Sequence, residues 1–453
     1  MMKRTSTILA LIWFAVVALA CNLSSPPPPT VVPSLTDTPQ PTIAVATSVP
    51  PTQPQQAAVN VPSASADVRS LLAQVDSDRL MIHVDALERM VTRHVNSPDN
   101  GTTGVAAAYR YVRRQFEEIS SQSAGRFSVI DHTFTLEWEG VTTSQKNVVG
   151  YLQGDAIGGG VIVLAAHYDS ITRNPADAIY NAPGANDDGS GMAALIEIGR
   201  ILARRPHHAS IMLVAFAAEE IGRAGSIEFV KWLRDRNVTV DSMINMDIIG
   251  SQTGPNGEID ANHLRLFSAG PEDSLSRQLA RSIYWIDFNV SPEMQILVQD
   301  AEDRQGRYGD HMSFSDAGFP AVRFIESLED TVRQHTPQDV IGDVQASYLL
   351  RSTQAILAAM TILADGLPPP QNIVLRDNGT PKRTLVWEPV PGASGYLIGL
   401  RAPGSNIINN QFPWPSNSVD WEGFTPSQLA AVVISTIDSN GMMGPPSREY
   451  VIR

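Results

Sequence analysis

Five short stretches of this chain each bring acidic or histidine side chains to the end of an apolar run or the start of a helical one. They are Leu164-Ala165-Ala166-His167-Tyr168-Asp169, Gly184-Ala185-Asn186-Asp187-Asp188-Gly189-Ser190-Gly191, Phe216-Ala217-Ala218-Glu219-Glu220, Asn245-Met246-Asp247 and His335-Thr336-Pro337, with Asp339 close behind. Imidazoles and carboxylates both ligate divalent ions and move protons. His167 and Asp169 lie two apart on a strand end, so they share a face, and Asp169 can orient the His167 ring from behind. The adjacent Asp187 and Asp188, ahead of a glycine turn and a helix start, call for a cation. Glu219 and Glu220 close an apolar strand and point different ways, so one can bind metal while its neighbour handles a proton. Asp247 is a lone carboxylate inside an otherwise apolar strand. Taken singly, each has an ordinary explanation: a strand-end aspartate is usually a turn or cap residue, and paired glutamates usually face solvent. Their weight comes from all five occurring together. The chain holds one cysteine, Cys21, so thiolates cannot build a metal site and no internal disulfide can form. Any metal is held by His, Asp and Glu, a donor set that suits zinc. Neither a Gly-x-Ser-x-Gly elbow nor a helical His-Glu-x-x-His motif occurs.

Such residues need a scaffold that gathers strand ends. Helical patterns at 68–75, 80–91 and 103–120 are followed by alternating segments. Apolar or β-branched runs fall at 147–152, 161–166, 211–217, 243–249, 264–268 and 321–325, and helical patterns at 191–203, 226–234, 274–284 and 345–364. This alternation predicts an α/β fold with a largely parallel sheet and helices on both faces. Ligands bind such sheets at the carboxyl ends of the strands, where the acidic and histidine residues fall.

In this order the motifs resemble the co-catalytic zinc aminopeptidases, relatives of glutaminyl cyclases and of the transferrin-receptor ectodomain. The resemblance runs from about residue 96 to 365. It rests on the His-x-Asp strand end, Asn-Asp-Asp-Gly-Ser-Gly-Met-Ala-Ala, Ala-Glu-Glu-Ile-Gly-x-x-Gly-Ser, Asn-Met-Asp-Ile-Ile-Gly and His-Thr-Pro-x-Asp. It implies two zinc ions bridged by Asp187, one completed by His167 and Asp247 and the other by Glu220 and His335. Glu219 is then the general base, Asp169 the partner of His167, and the Asp187-Asp188 peptide bond cis. The stretch Gly309-Asp310-His311-Met312-Ser313-Phe314 also fits, with Gly309 where the family usually has Ser. His311 is expected near the site without binding metal, and His83, His94, His132, His207, His208 and His263 are expected to be structural or surface residues. The implied reaction is hydrolysis of N-terminal peptide bonds. Three other outcomes are compatible with the same motifs: a glutaminyl cyclase, a carboxypeptidase or other amidohydrolase, and a non-catalytic receptor.

The 453 residues carry a formal net charge of -14, which argues against nucleic-acid binding and against electrostatic docking on anionic lipid. Lys3 and Arg4 precede an uncharged apolar run that ends in Ala18-Leu19-Ala20-Cys21. The run fits a signal-peptide core, and its end resembles a lipoprotein signal in which the cysteine is lipidated. Residues 1–21 are thus expected to be an export segment, 22–65 a stiff Pro/Thr/Ser-rich stalk, and 66–366 the zinc peptidase domain at the cell surface or outside the cell. After Leu367-Pro368-Pro369-Pro370 the texture changes to short alternating strands with Gly, Pro and Asn turns. Residues 371–453 resemble a fibronectin type III β-sandwich, expected to act as a spacer or to bind a surface polymer.

Overall fold

The computed structural model describes residues 65–156, 160–291 and 293–453. The expected export segment, Cys21 and the stalk up to residue 64 lie outside the described residues. Helices α1 (Ala66–Leu72), α2 (Ser77–Glu88) and α3 (Val105–Gln122) lead into strands β1 (Phe127–Trp138), β2 (Val141–Leu152) and β3 (Val161–His167). Then come α4 (Gly189–Leu202), β4 (Ser210–Phe216), α5 (Ala224–Asp235), β5 (Val240–Met246), β6 (His263–Ser268) and α6 (Leu275–Val290). This part ends with β7 (Gln295–Gln299), a short α7 (His311–Asp316), β8 (Ala321–Glu326) and α8 (Ala346–Asp365).

The eight strands form one sheet in the order β1-β2-β4-β3-β5-β8-β6-β7. Its centre, β4-β3-β5-β8, is parallel, and antiparallel pairings join β2 to β4 and β6 to β8. Strand β3 is buried at every position, as a strand covered on both faces must be. One face packs against α2, α3, α4 and α8 through residues such as Leu80, Phe116, Leu195 and Ile356. The other packs against α5 and α7 through Phe229, Leu233 and Phe314. Among the described residues no helix is long and apolar enough to cross a membrane.

Three local results differ from the sequence expectation. Strand β1 divides evenly between polar and apolar residues on a half-exposed surface, so no continuous apolar run betrays it. Its signal is the turn: Glu139 and Gly140 both have positive φ, 50° and 72°, and they join strands in register from Trp138↔Val141 to Phe127↔Leu152, the two-residue hairpin geometry. Edge strand β7 alternates exposed and buried positions over five residues. Strand β5 stops at Met246, so Asp247 follows the strand instead of lying inside it. The break is local, because Ile248 sits at φ 69°, a left-handed conformation that a β-branched residue adopts only under constraint.

The C-terminal part holds two antiparallel sheets, one of β9 (Val374–Asp377), β10 (Arg383–Val386) and β13 (Ser418–Trp421). The other contains β11 (Gly395–Arg401), β12 (Asn410–Trp414), β14 (Ala431–Ile437) and β15 (Tyr450–Val451). They share a core that includes Trp387, Tyr396, Phe412, Trp421 and Ile434. A further apolar cluster crosses from the α/β part to this part, joining Trp285, Ile286 and Ile362 to Leu397, Val433 and Met443. Around it, Arg281 pairs with Glu449 at 2.5 Å, and Arg401 pairs with Glu449 at 3.0 Å and Glu272 at 2.6 Å. The Leu367 segment is packed too, its carbonyl accepting from Thr436 Oγ1 at 3.0 Å. The two parts are thus one continuous body.

Trp285 is the largest side chain of that shared core and its indole nitrogen donates to Gln411. Trp285→Ala should therefore lower stability by about 3 kcal/mol, read as a lower urea midpoint with an unchanged zinc content.

Candidate active site

Three adjacent strands deliver the chemistry. β3 ends at His167, β4 runs into Ala217-Ala218-Glu219-Glu220 and β5 runs into Asp247. Asp187 arrives just before α4, and His335 comes from the loop after β8. The carboxylate of Asp187 is central. Its Oδ1 lies 3.3 Å from His167 Nε2, and its Oδ2 lies 3.3 Å from His335 Nε2. Asp247 Oδ1 is 3.7 Å from His167 Nε2, and Glu220 Oε2 is 3.1 Å from His335 Nε2. All five residues expected to bind metal therefore meet, in two groups that share Asp187. The Asp187-Asp188 peptide bond is cis.

The donor set fits zinc. His167 Nδ1 donates to the Asp169 carbonyl at 3.2 Å, which leaves the Nε2 lone pair facing Asp187 and Asp247. That Nε2 is buried without a hydrogen-bond partner, as is Glu220 Oε1. Buried polar atoms are rarely left unpaired, and a divalent ion in each of the two groups would satisfy them. The ligating atoms of Asp187, Glu220 and His335 all lie within 4.8 Å of one another. Asp188 also approaches His167 and Asp247, but its carboxylate is already taken. It accepts the backbone N–H groups of His167 at 3.1 Å, Gly191 at 3.0 Å and Ile248 at 3.2 Å. Asp188 therefore caps α4 and ties strand ends together, and Asp187 is the better ligand.

The charges agree with this division. Burial pushes the Glu219 carboxyl well above its ordinary range, and the charges of Asp247, Asp310 and Glu220 add to the effect. Burial would also depress the two imidazoles. His167 is nevertheless held well above its usual value by Asp169, Asp187 and Asp247, and His335 is pushed up to about 11, chiefly by Glu220 and Asp187. Carboxylates that pull both imidazoles up in this way form a strongly negative cluster, and divalent ions would supply the missing positive charge.

A sequence model of peptidase family M28 matches residues 147–360. A protein of Pyricularia oryzae named "Probable zinc metalloprotease" is 32% identical over an alignment of 388 residues that covers 77% of this chain and 76% of that one. The chain belongs to peptidase family M28. It is accordingly a zinc-dependent metallopeptidase acting on peptide or protein substrates. Among solved structures, the Legionella pneumophila LapA aminopeptidase is similar with a TM-score of 0.54 at 20% identity, covering 68% of this chain and 77% of that one. Porphyromonas gingivalis glutaminyl cyclase is similar with a TM-score of 0.50 at 16% identity, covering 63% and 98%. At those identities the likeness is one of fold.

The peptidase surrounds its candidate metal-binding residues with supports that the sequence does not advertise. Asp169 does more than face the His167 ring: its carboxylate accepts the backbone N–H groups of Glu219 at 3.0 Å and Glu220 at 3.1 Å. It thereby fixes the turn at Ala218, where φ is 58°, and aims both glutamates. Asp339 accepts the N–H groups of Asn186 at 2.8 Å and Asp187 at 3.0 Å, so the His-Thr-Pro-x-Asp motif braces the Asp187 loop from behind. Arg323 on β8 bridges Asp247 Oδ2 at 2.9 Å and Asp303 at 2.8 Å. It also accounts for Gly309, since a Cβ there would lie 2.8 Å from the Arg323 guanidinium. His311 turns away from the metal-binding residues, its Nε2 donating to the Glu302 carbonyl at 2.8 Å. The six other histidines expected to be structural or surface residues hydrogen-bond elsewhere, as His83 does with Tyr111 and His132 with Asn147.

Arg93, fully buried, gives no sequence signal at all. Its guanidinium donates to the carbonyls of Tyr168 at 2.7 Å, Leu87 at 3.3 Å, Pro183 and Gly184 at 3.0 Å. It thus clamps both ends of the loop between His167 and Asp187. Arg93→Met should strand these carbonyls and cost about 3 kcal/mol or more. A thermal melt with and without zinc, and zinc titration against a competing chelator, should show a lower Tm and weaker metal binding.

Proposed function

We propose that this peptidase is an aminopeptidase that works with two zinc ions. The observation that carries the reading is the Asp187 carboxylate, with one oxygen facing His167 and the other His335, each at 3.3 Å. A single-zinc glutaminyl cyclase shares the fold but does not call for histidines on both sides of one carboxylate. An intact Glu219 beside a full ligand set favours an enzyme over a non-catalytic receptor.

In this reading His167 and Asp247 hold one ion, Glu220 and His335 the other, and Asp187 both. When bound, zinc makes a water acidic near neutral pH and polarises the amide carbonyl. Glu219 takes the proton of the attacking water and later passes it to the leaving amine. Its carboxylate is buried and its backbone is pinned by Asp169, so it meets the water in a fixed orientation. Arg323 holds Asp247 in place by occupying its outer oxygen.

Glu219→Gln should keep two zinc ions per chain by atomic absorption yet lower kcat on amino-acyl anilides about 100-fold or more. Asp187→Asn should lose metal. Full activity in Glu219→Gln would remove Glu219 from its role.

We further propose that the enzyme sits outside the cell or at its surface, tethered through a lipid on Cys21, a reading supported by the apolar run ending in Ala18-Leu19-Ala20-Cys21. The three-plus-four arrangement of antiparallel strands supports a fibronectin type III-like module at the C-terminus, presented as a spacer or a binder of surface polymer. With native export, Cys21→Ala should move the protein from the membrane fraction to the medium. Unchanged membrane retention would refute the tether.

A further inference from the structure

Beside Asp187, Glu219, Glu220, Asp247 and His335 opens a cavity of about 360 Å³, and the rest of its wall is unusual. It is built from Arg223, Arg304, Arg307, Arg323, Tyr308 and two glycines, with no aliphatic side chain. A leucine-like substrate side chain would find little apolar surface there beyond the Tyr308 ring and would desolvate guanidinium groups for little return. The cations are also incompletely matched. Arg304 and Arg307 share Glu329, Arg307 at 3.1 Å, and Arg304 and Arg323 share Asp303 at 3.1 and 2.8 Å. Arg323 also pairs with Asp247 at 2.9 Å, so three guanidinium groups face three carboxylates, one of which is shared with the metal-binding cluster. Arg223 adds a fourth guanidinium. Its Nη1 is buried without a hydrogen-bond partner and approaches the exposed Asp316 carboxylate no closer than 3.9 Å.

We propose that this cavity is a carboxylate-binding subsite, so that the peptidase selects substrates with an acidic group next to the bond it cleaves. Arginine suits the task because its planar fork matches a carboxylate. Glu329 and Gln334 hold Arg307 from one side, which fixes its orientation before substrate arrives. Arg223 stands at the start of α5, three residues after Glu220, and so links recognition to the catalytic turn. Two substrate features supply the same chemistry: the side chain of an N-terminal Asp or Glu, and the free C-terminal carboxylate of a short peptide. The inference rests on the proposed hydrolysis only for where the scissile bond lies.

The test uses the zinc-loaded full chain. Hydrolysis of glutamyl-, aspartyl- and leucyl-anilides is compared, as is that of Leu-Leu and its amide. Binding of L-glutamate and L-leucine is measured by calorimetry in parallel. An acidic side chain as the recognised feature gives a kcat/KM for glutamyl-anilide about 10-fold or more above leucyl-anilide. A C-terminal carboxylate gives the same margin for Leu-Leu over its amide. In either case Arg223→Gln and Arg307→Gln should shrink the acidic-to-neutral ratio by about 10-fold, with zinc content and Tm reporting the fold. Arg223→Gln is the cleaner variant, since its Nη1 gives up no hydrogen bond. Neutral substrates cleaved as well as their anionic counterparts, or ratios unmoved in both variants, overturn the subsite. If no substrate is cleaved but glutamate binds more tightly than leucine, the subsite stands and the hydrolytic reading falls. Equal binding overturns the subsite as well.

Discussion

The active site of this peptidase is organised by the cost of burying carboxylates together. Asp187, Asp188, Asp247, Asp169 and Glu219 are all buried at the ends of three neighbouring strands. Like charges in such a space cannot all stay ionised unless each is compensated. The surrounding structure meets this demand piecemeal. Backbone N–H groups serve Asp188, Asp169 and Asp339, and Arg323 serves Asp247. What remains uncompensated is the set Asp187, Glu220 and the inner edge of Asp247, with two imidazoles beside them, and Glu219, whose carboxyl burial pushes towards the neutral form. The first three with the imidazoles are the proposed metal site, and Glu219 is left to carry the proton. Among the aspartates, ligand and support are distinguished by which carboxylates the backbone has already satisfied.

The same demand explains the unusual backbone. Ala218, Ile248 and His335 all lie in the left-handed region, one at each place where the chain must turn sharply to aim a side chain inward. Non-glycine residues stay there only when their surroundings over-determine them. Asp169 pins the turn at Ala218, and Asp188 together with Glu326 brackets Ile248. The parallel sheet contributes by ending adjacent strands at one level, as open α/β sheets do at their ligand-binding edge.

The ligands were legible because each sits in a short local motif whose residue types have few other uses in combination. The supports were not, because their partners are distant in the chain. Arg93 reaches Gly184 and Arg323 reaches Asp247, and neither has a neighbour that betrays the pairing. An arginine inside the apolar run Ala321-Val322-Arg323-Phe324-Ile325 reads as an oddity until the strand beside it is known. Gly309, by contrast, did register as a departure from the family pattern, and only the structure supplies the steric reason. The fold read well wherever strands were apolar throughout, and failed at β1, where apolar residues only alternate with polar ones, as in Phe134, Leu136 and Trp138, and form no continuous run. The docking of the C-terminal sheets was hidden for a similar reason. Trp285 and Ile286 look like ordinary members of an amphipathic helix, and nothing local says that the surface they cover belongs to another sheet.

The two halves of the cluster are also unlike each other. His167 is 1% exposed, and its partner Asp247 shares its charge with Arg323. His335 is 29% exposed, and its partner Glu220 keeps an oxygen without any hydrogen bond. Enclosure and a diluted carboxylate characterise the first half, openness and an undiluted carboxylate the second. A buried arginine beside a ligand weakens the pull of that ligand on a cation but holds it rigidly, so the first half favours fixed geometry. The second half, facing the arginine-lined cavity, leaves more negative charge free and more room to approach. Glu219 stands between them, pinned through its backbone to Asp169, and so keeps one orientation towards both halves. The asymmetry follows from where β8, next to β5 in the sheet, places Arg323: against Asp247 and not against Glu220.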